Sequence, residues 1–155
     1  MNLLAVITAA ILHELGHIIA IILCGGRLRR LSFTLSGAVI DAELSGLDPR
    51  RRAAVYFAGA FSNIVSGFVG LFLGFREFAA ISFLLGIVNL LPIKLLDGGC
   101  LISELVGQSR ALDILSHATI FVLWLSSIVS LILYGNLSLW LFTSCLFVEM
   151  YLRVP

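Results

Sequence analysis

The sequence predicts an all-α polytopic membrane protein of about five transmembrane helices, with a short β-hairpin at the membrane surface after the first. Three observations carry this. The 155 residues are 60% hydrophobic and 12% charged, with a mean hydropathy of +1.10. An average soluble domain is roughly half apolar and a quarter charged. The apolar residues fall in runs close to the about 20 residues that cross a bilayer. Polar residues collect between those runs. A soluble globular domain is excluded, as is a second folded domain of ordinary size.

The first run covers 3–23 and is interrupted by a polar motif at 13–17. It lacks the basic start of a secretory signal, so a retained helix is expected. A polar stretch follows over 24–52. Within it Leu31-Ser-Phe-Thr-Leu35 and Ala38-Val-Ile-Asp-Ala-Glu43 alternate apolar and polar around Gly37. That period predicts the hairpin, either purely structural or an edge that pairs with an extended peptide.

The second run, 53–75, is rich in small residues, with Gly70 and Gly74 at GxxxG spacing. Small residues let helix backbones approach closely in lipid. Asn63 stands in mid-run, where an amide needs a partner. Arg76 and Glu77 separate this run from the third, 78–91, which Pro92 ends. Fourteen residues rise about 21 Å, short of a core of roughly 30 Å. Irregular backbone survives at that depth only against protein or a wet cavity, so 89–99 is predicted to line a cavity. A weakly apolar stretch reaches Asp113. Two further runs, 114–134 and 137–152, flank a turn at Gly135-Asn136.

Nine of the ten Lys and Arg residues fall on one side if the runs alternate, and Arg76 stands alone opposite. The positive side is cytoplasmic. The N-terminus is therefore expected outside and the C-terminus inside a cell membrane. A net charge of +1 argues against nucleic acid or another polyanion as partner. Cys24, Cys100 and Cys145 make no CxxC pair and are expected to be free thiols.

His13-Glu14-Leu15-Gly16-His17 is an HExxH motif. On a helix, residues four apart share a face, so both imidazoles reach one metal ion, with Glu14 beside them as a general base toward water. Two His and a Glu in an apolar run are costly and point to function. A catalytic zinc usually takes three protein ligands. Candidates for the third are Asp97, Glu149, His117, Asp113 and Glu104. His17 lies about 10 Å below the cytoplasmic face by helix rise. Asp97 follows the third run on that same side, beside Gly98 and Gly99; its alternative role is a helix N-cap. Glu149 stands four residues before Arg153, which suits an ion pair. His117 reads as interfacial. Glu104, Asp113 and Arg50 to Arg52 read as solvated or headgroup positions.

HELGH, followed by Asn89-Leu-Leu-Pro92-Ile-Lys-Leu-Leu-Asp97-Gly-Gly99, resembles the site-2 protease family of intramembrane zinc metalloproteases. Ala58-Gly59-Ala60-Phe61-Ser62-Asn63 is similar to that family's Gly-Pro-x-x-Asn stretch, with Ala60 where proline is usual. The resemblance spans about 5–107 and is closest to the compact branch containing stage IV sporulation factor B. It implies one domain over 1–155, with a catalytic core at about 5–107 and accessory helices at about 114–152. No PDZ or CBS module is expected, nor the helix that precedes HExxH in larger members.

The resemblance implies one zinc ion held by His13, His17 and Asp97, with Glu14 as general base. Asn89 would stabilise the oxyanion near the scissile carbonyl, and Asn63 would support the site. The substrate would be a membrane protein cleaved in or near a transmembrane helix, in regulated intramembrane proteolysis, with room for a membrane regulatory partner. Two other readings stay open. One is a metal or proton transporter, which would use the same buried His, Glu and Asp. The other is a non-catalytic protein that captures membrane helices.

Overall fold

The computed structural model describes the backbone of residues 2–34 and 37–153, and side chains apart from those at 31–39 and 153. The element order is α1 (Leu3–Cys24), β1 (Arg27–Thr34), β2 (Gly37–Glu43), α2 (Pro49–Phe72), α3 (Arg76–Asn89), α4 (Asp97–Val106), α5 (Arg110–Tyr134) and α6 (Leu137–Arg153). The all-α membrane architecture with one small hairpin is as the sequence predicts. Among the described residues, α1, α2 and α5 are long and apolar enough to cross a membrane, and α6 is a shorter apolar helix. Large apolar side chains such as Leu23, Phe72 and Leu152 stand almost fully exposed. In water that would be a liability; against lipid tails it is the expected surface.

The helix ends follow local chemistry. Asn2 caps α1 by accepting from the Leu4 N–H at 3.1 Å, and Gly25 closes it in the left-handed conformation, φ 86°. Asp48 caps α2 through the Arg51 N–H at 3.0 Å, with Pro49 in the first turn, where its missing N–H costs nothing. Ser109 caps α5. That cap starts α5 at Arg110, four residues ahead of the apolar run.

Helix α2 is the central element, packed against α1, α3 and α4. Its small residues make this possible. Gly67 receives the Phe83 ring and Gly70 the Phe78 ring, each so closely that a methyl group at either glycine would clash. Gly74 takes no part in packing. It sits in the α2–α3 turn at φ 84° with open space around it, so Gly70 and Gly74 do not form a helix-contact pair. On the other side of α2, Gly16 rests against the Ala58 carbonyl. The Ser62 hydroxyl donates to the Leu12 carbonyl at 2.7 Å. These two contacts fix α1 and α2 in register at the HExxH turn.

The hairpin is antiparallel, pairing Arg27 with Glu43 through Thr34 with Gly37, with an irregularity between Leu28 and Arg30. Gly37 opens β2, and residues 35–36 lie outside the described residues. Residues 97–106 form a helix that the hydropathy pattern left unassigned. Its ten residues rise about 15 Å, too short to span. The α3–α4 turn is tied to α5 by the Lys94 N–H, which donates to Ser116 Oγ at 2.8 Å. Ile93 from that turn packs with Ile120, Leu146 and Met150 of α5 and α6. The last two helices are joined further by Thr143 donating to Ser127 at 2.7 Å and Trp124 to Ser144 at 3.0 Å.

Candidate metal centre

His13 and His17 project from one face of α1, and both are buried. Asp97 is the first residue of α4. It is not the N-cap: that position belongs to Leu96, which makes no side-chain cap. The carboxylate turns instead toward α1. One oxygen, Oδ2, lies 3.0 Å from Nε2 of His13 and 3.0 Å from Nε2 of His17. The two Nε2 atoms are 3.2 Å apart. Residues separated by 84 positions therefore meet in one triangle.

Gly98 and Gly99 let Asp97 reach it. A side-chain carbon at Gly98 would lie 2.2 Å from the Leu90 carbonyl oxygen, and one at Gly99 equally close to that of Ile93. The first turn of α4 is thus folded tightly under the end of α3.

Helix α2 supplies the floor. A side-chain carbon on Gly59 would stand 2.8 Å from Cε1 of His13, so only glycine leaves room for the rings. The outer ring nitrogens are held too. Nδ1 of His17 is 2.8 Å from the Val55 carbonyl oxygen, and Nδ1 of His13 is 3.0 Å from the Asn63 side-chain amide. Val55, Gly59 and Asn63 follow one another at spacings of four along α2, one face of a helix.

This donor set fits a zinc ion. Ligand atoms about a tetrahedral zinc at bond lengths of about 2.0–2.1 Å stand about 3.3 Å apart. The triangle of two nitrogens and one carboxylate oxygen has edges of 3.0 to 3.2 Å. The outer nitrogens have polar partners, as metal-bound imidazoles generally do. Among the described residues this is the one His/Cys/Asp/Glu group able to hold a metal.

Glu14 is half-buried and within electrostatic range of His13, His17 and Asp97. Asn89 ends α3, and its amide donates to the Leu85 carbonyl at 3.0 Å. The remaining acids and His117 stand apart from the triangle. Glu104 pairs with Arg52 at 2.8 Å, and Asp113 pairs with Lys94. His117 Nδ1 faces the Asp113 carbonyl at 2.7 Å. Glu149 interacts within the chain, while Arg153, its expected partner, carries a side chain outside the described residues.

Reading Arg52 and Glu104 as solvated positions is corrected here: their side chains are only 29% and 20% exposed and bind α2 to α4. They border a cavity of about 360 Å³ with Tyr56, Arg29 and Glu43, between the hairpin and the α2–α4 pair. Sequence reasoning passed over the Val55 carbonyl and Tyr56. The spacing of four from Val55 to Asn63, matching that of the two histidines, is the signal that could have found the carbonyl.

Fold and site together define a membrane protein with a histidine–histidine–aspartate cluster between its helices that is able to hold a metal ion. Residues 75–133 match the model of peptidase family M50. That span holds Asn89 and Asp97 and stops short of HExxH. Over 98% of the chain the fold matches 77% of a solved structure, the Site-2 Protease from Methanocaldococcus jannaschii, at 18% identity and a TM-score of 0.74. No curated protein matches the sequence. The resemblance to the site-2 protease family is thus carried by the M50 match and by the fold; neither singles out the sporulation branch.

Proposed function

We propose that this protein is an intramembrane zinc metalloprotease that hydrolyses a peptide bond in or near the transmembrane helix of a membrane-protein substrate. The observation that carries the reading is the meeting of His13, His17 and Asp97 in a triangle of zinc dimensions. The M50 match over 75–133 supports it.

His13, His17 and Asp97 would hold one zinc ion. When bound, it supplies a Lewis acid for the attacking water and the substrate carbonyl. Glu14, half-buried beside the cluster, takes the proton from that water and passes it to the leaving amine. Burial shields the two imidazoles themselves from bulk water. Asn89 has one amide N–H committed to Leu85, and its second is the oxyanion donor in this reading, a contribution often of about 3–4 kcal/mol.

The substrate must be extended, because a helix hides its peptide bonds in its own hydrogen bonds. A two-stranded hairpin has two free edges, and its β2 end borders the cavity that leads along Arg52 and Tyr56. An unwound substrate segment would add to that edge as a strand. The excess of Lys and Arg on one side of the spans supports reading this opening as cytoplasmic.

The test is bound metal in detergent-purified protein together with cleavage of a test transmembrane substrate. About one zinc per chain should survive Glu14→Gln and fall in His13→Ala and Asp97→Ala, with cleavage lost in all three. A wild type without zinc, or an Asp97→Ala variant with full zinc and activity, would overturn the reading.

A further inference from the structure

A histidine that binds a cation through Nε2 must carry its proton on Nδ1. For His17 the backbone sets the tautomer: the Val55 carbonyl at 2.8 Å can only accept, so Nδ1 donates and in the neutral ring Nε2 keeps its lone pair. For His13 the partner is an amide, which offers two atoms of nearly equal shape and opposite polarity. Asn63 is fully buried. Its Nδ2 faces His13 Nδ1 at 3.0 Å, and its Oδ1 has no hydrogen-bond partner.

The two orientations of this amide have opposite consequences. With Nδ2 toward the ring, Nδ1 must accept and the proton sits on Nε2, directed at Asp97 3.0 Å away; that ring cannot bind a cation. With Oδ1 toward the ring, the buried oxygen gains a donor and Nε2 is bare. Rotation about the last side-chain bond exchanges the two without moving α2, whose backbone is pinned here by Gly86 of α3 packed against Asn63 Cβ.

We propose that Asn63 is a positioning residue of the metal centre: its side-chain oxygen accepts the Nδ1 proton of His13, as the Val55 carbonyl does for His17, so that α2 sets both rings with Nε2 free for the metal. The proposal rests on the zinc site of the preceding section. Asn63 touches neither substrate nor metal and acts through His13 alone. Turning the amide is the step that links its orientation to metal loading.

The experiment measures zinc affinity by chelator competition, using Zn²⁺ alone and detergent-purified full-length protein. Asn63→Leu removes the acceptor and should weaken zinc binding by about 10–100-fold. Asn63→Asp keeps an acceptor and removes the donor, and should bind zinc at least as tightly as wild type. Nitrogen NMR of histidine-labelled protein should show the Nδ1–H form of His13 in wild type and Asn63→Asp.

Zinc affinity unchanged in Asn63→Leu would overturn the proposal. So would a tenfold loss in Asn63→Asp, because that loss identifies the amide as a donor. If Asn63→Leu does not fold, the Asn63→Asp result decides alone. A wild type that binds no zinc overturns the metalloprotease reading itself, whereas zinc-binding wild type with indifferent Asn63 variants overturns only this proposal.

Discussion

Gly59 and His17 are packed without room for one more carbon. A methyl group on the Gly59 Cα would stand 2.2 Å from Nε2 of His17, the atom that faces Asp97. Such a contact is far inside van der Waals distance, and the obstacle is the ligand ring rather than a flexible side-chain tip. The missing side chain is therefore part of the site.

Gly59→Ala should displace one or both imidazoles. A misplacement of about 1 Å at a reacting centre costs on the order of 100-fold in rate. We expect cleavage to fall by at least that much, with weaker zinc binding, while the helix content by circular dichroism stays as in wild type. Wild-type zinc affinity in Gly59→Ala would show that the rings do not need this floor.

Glu14→Gln keeps the size of the side chain and removes its basicity. Cleavage should fall by about 10²–10⁴-fold, the usual contribution of a general base, with zinc content unchanged. Loss of zinc along with activity would assign Glu14 to the metal rather than to the proton.

The Arg52–Glu104 pair ties α2, which carries the floor of the site, to α4, which carries Asp97. The pair is partly screened by solvent, so its coupling should be about 1 kcal/mol. A double-mutant cycle of Arg52→Ala and Glu104→Ala, read by denaturant unfolding in detergent, measures it. Additive single effects would mean that the two charges act independently.

Burial pushes the Cys100 thiol up to about 11, and the Asp97 and Glu104 carboxylates add to the effect. A raised value keeps the thiol protonated, and only the thiolate reacts. Alkylation of Cys100 in native protein should be slow at pH 7 and rise about tenfold per pH unit toward pH 10. Unfolding in SDS should abolish the protection. Fast alkylation of native Cys100 at pH 7 would contradict its burial on α4.

Ile40 and Asp41 are neighbours in β2, so one points its N–H into the ladder and the other outward. If substrate adds to this edge, proline at the outward position should abolish cleavage without unfolding the hairpin. Wild-type cleavage in both single-proline variants, with Glu14→Gln inactive, would remove strand addition from the mechanism.

Much of this was legible before any coordinates. Apolar runs mark a membrane protein because bilayer thickness sets a helix length, and composition alone reports it. The alternation in 38–43 marks a strand because side chains in a strand alternate faces. HExxH places two imidazoles on one face because a helix repeats every 3.6 residues. The helix over 97–106 was harder to read, since a ten-residue amphipathic segment leaves a weak hydropathy signal. Arg52 and Glu104 were misread because a charge beside an apolar run looks the same whether it meets water or a partner 52 positions away.

By itself, then, the sequence determined the class of protein, the membrane segments and a pair of histidines set to reach one metal ion. Each of those rests on periodicity within one segment. The resemblance named Asp97; the tertiary structure showed how it reaches the pair, and that Val55, Gly59 and Asn63 of α2 stand against the rings. Those relations depend on how closely three helices approach, which glycines at 16, 59 and 98 permit through the absence of one carbon each. Close approach between distant segments is a property of packing, and no local period encodes it.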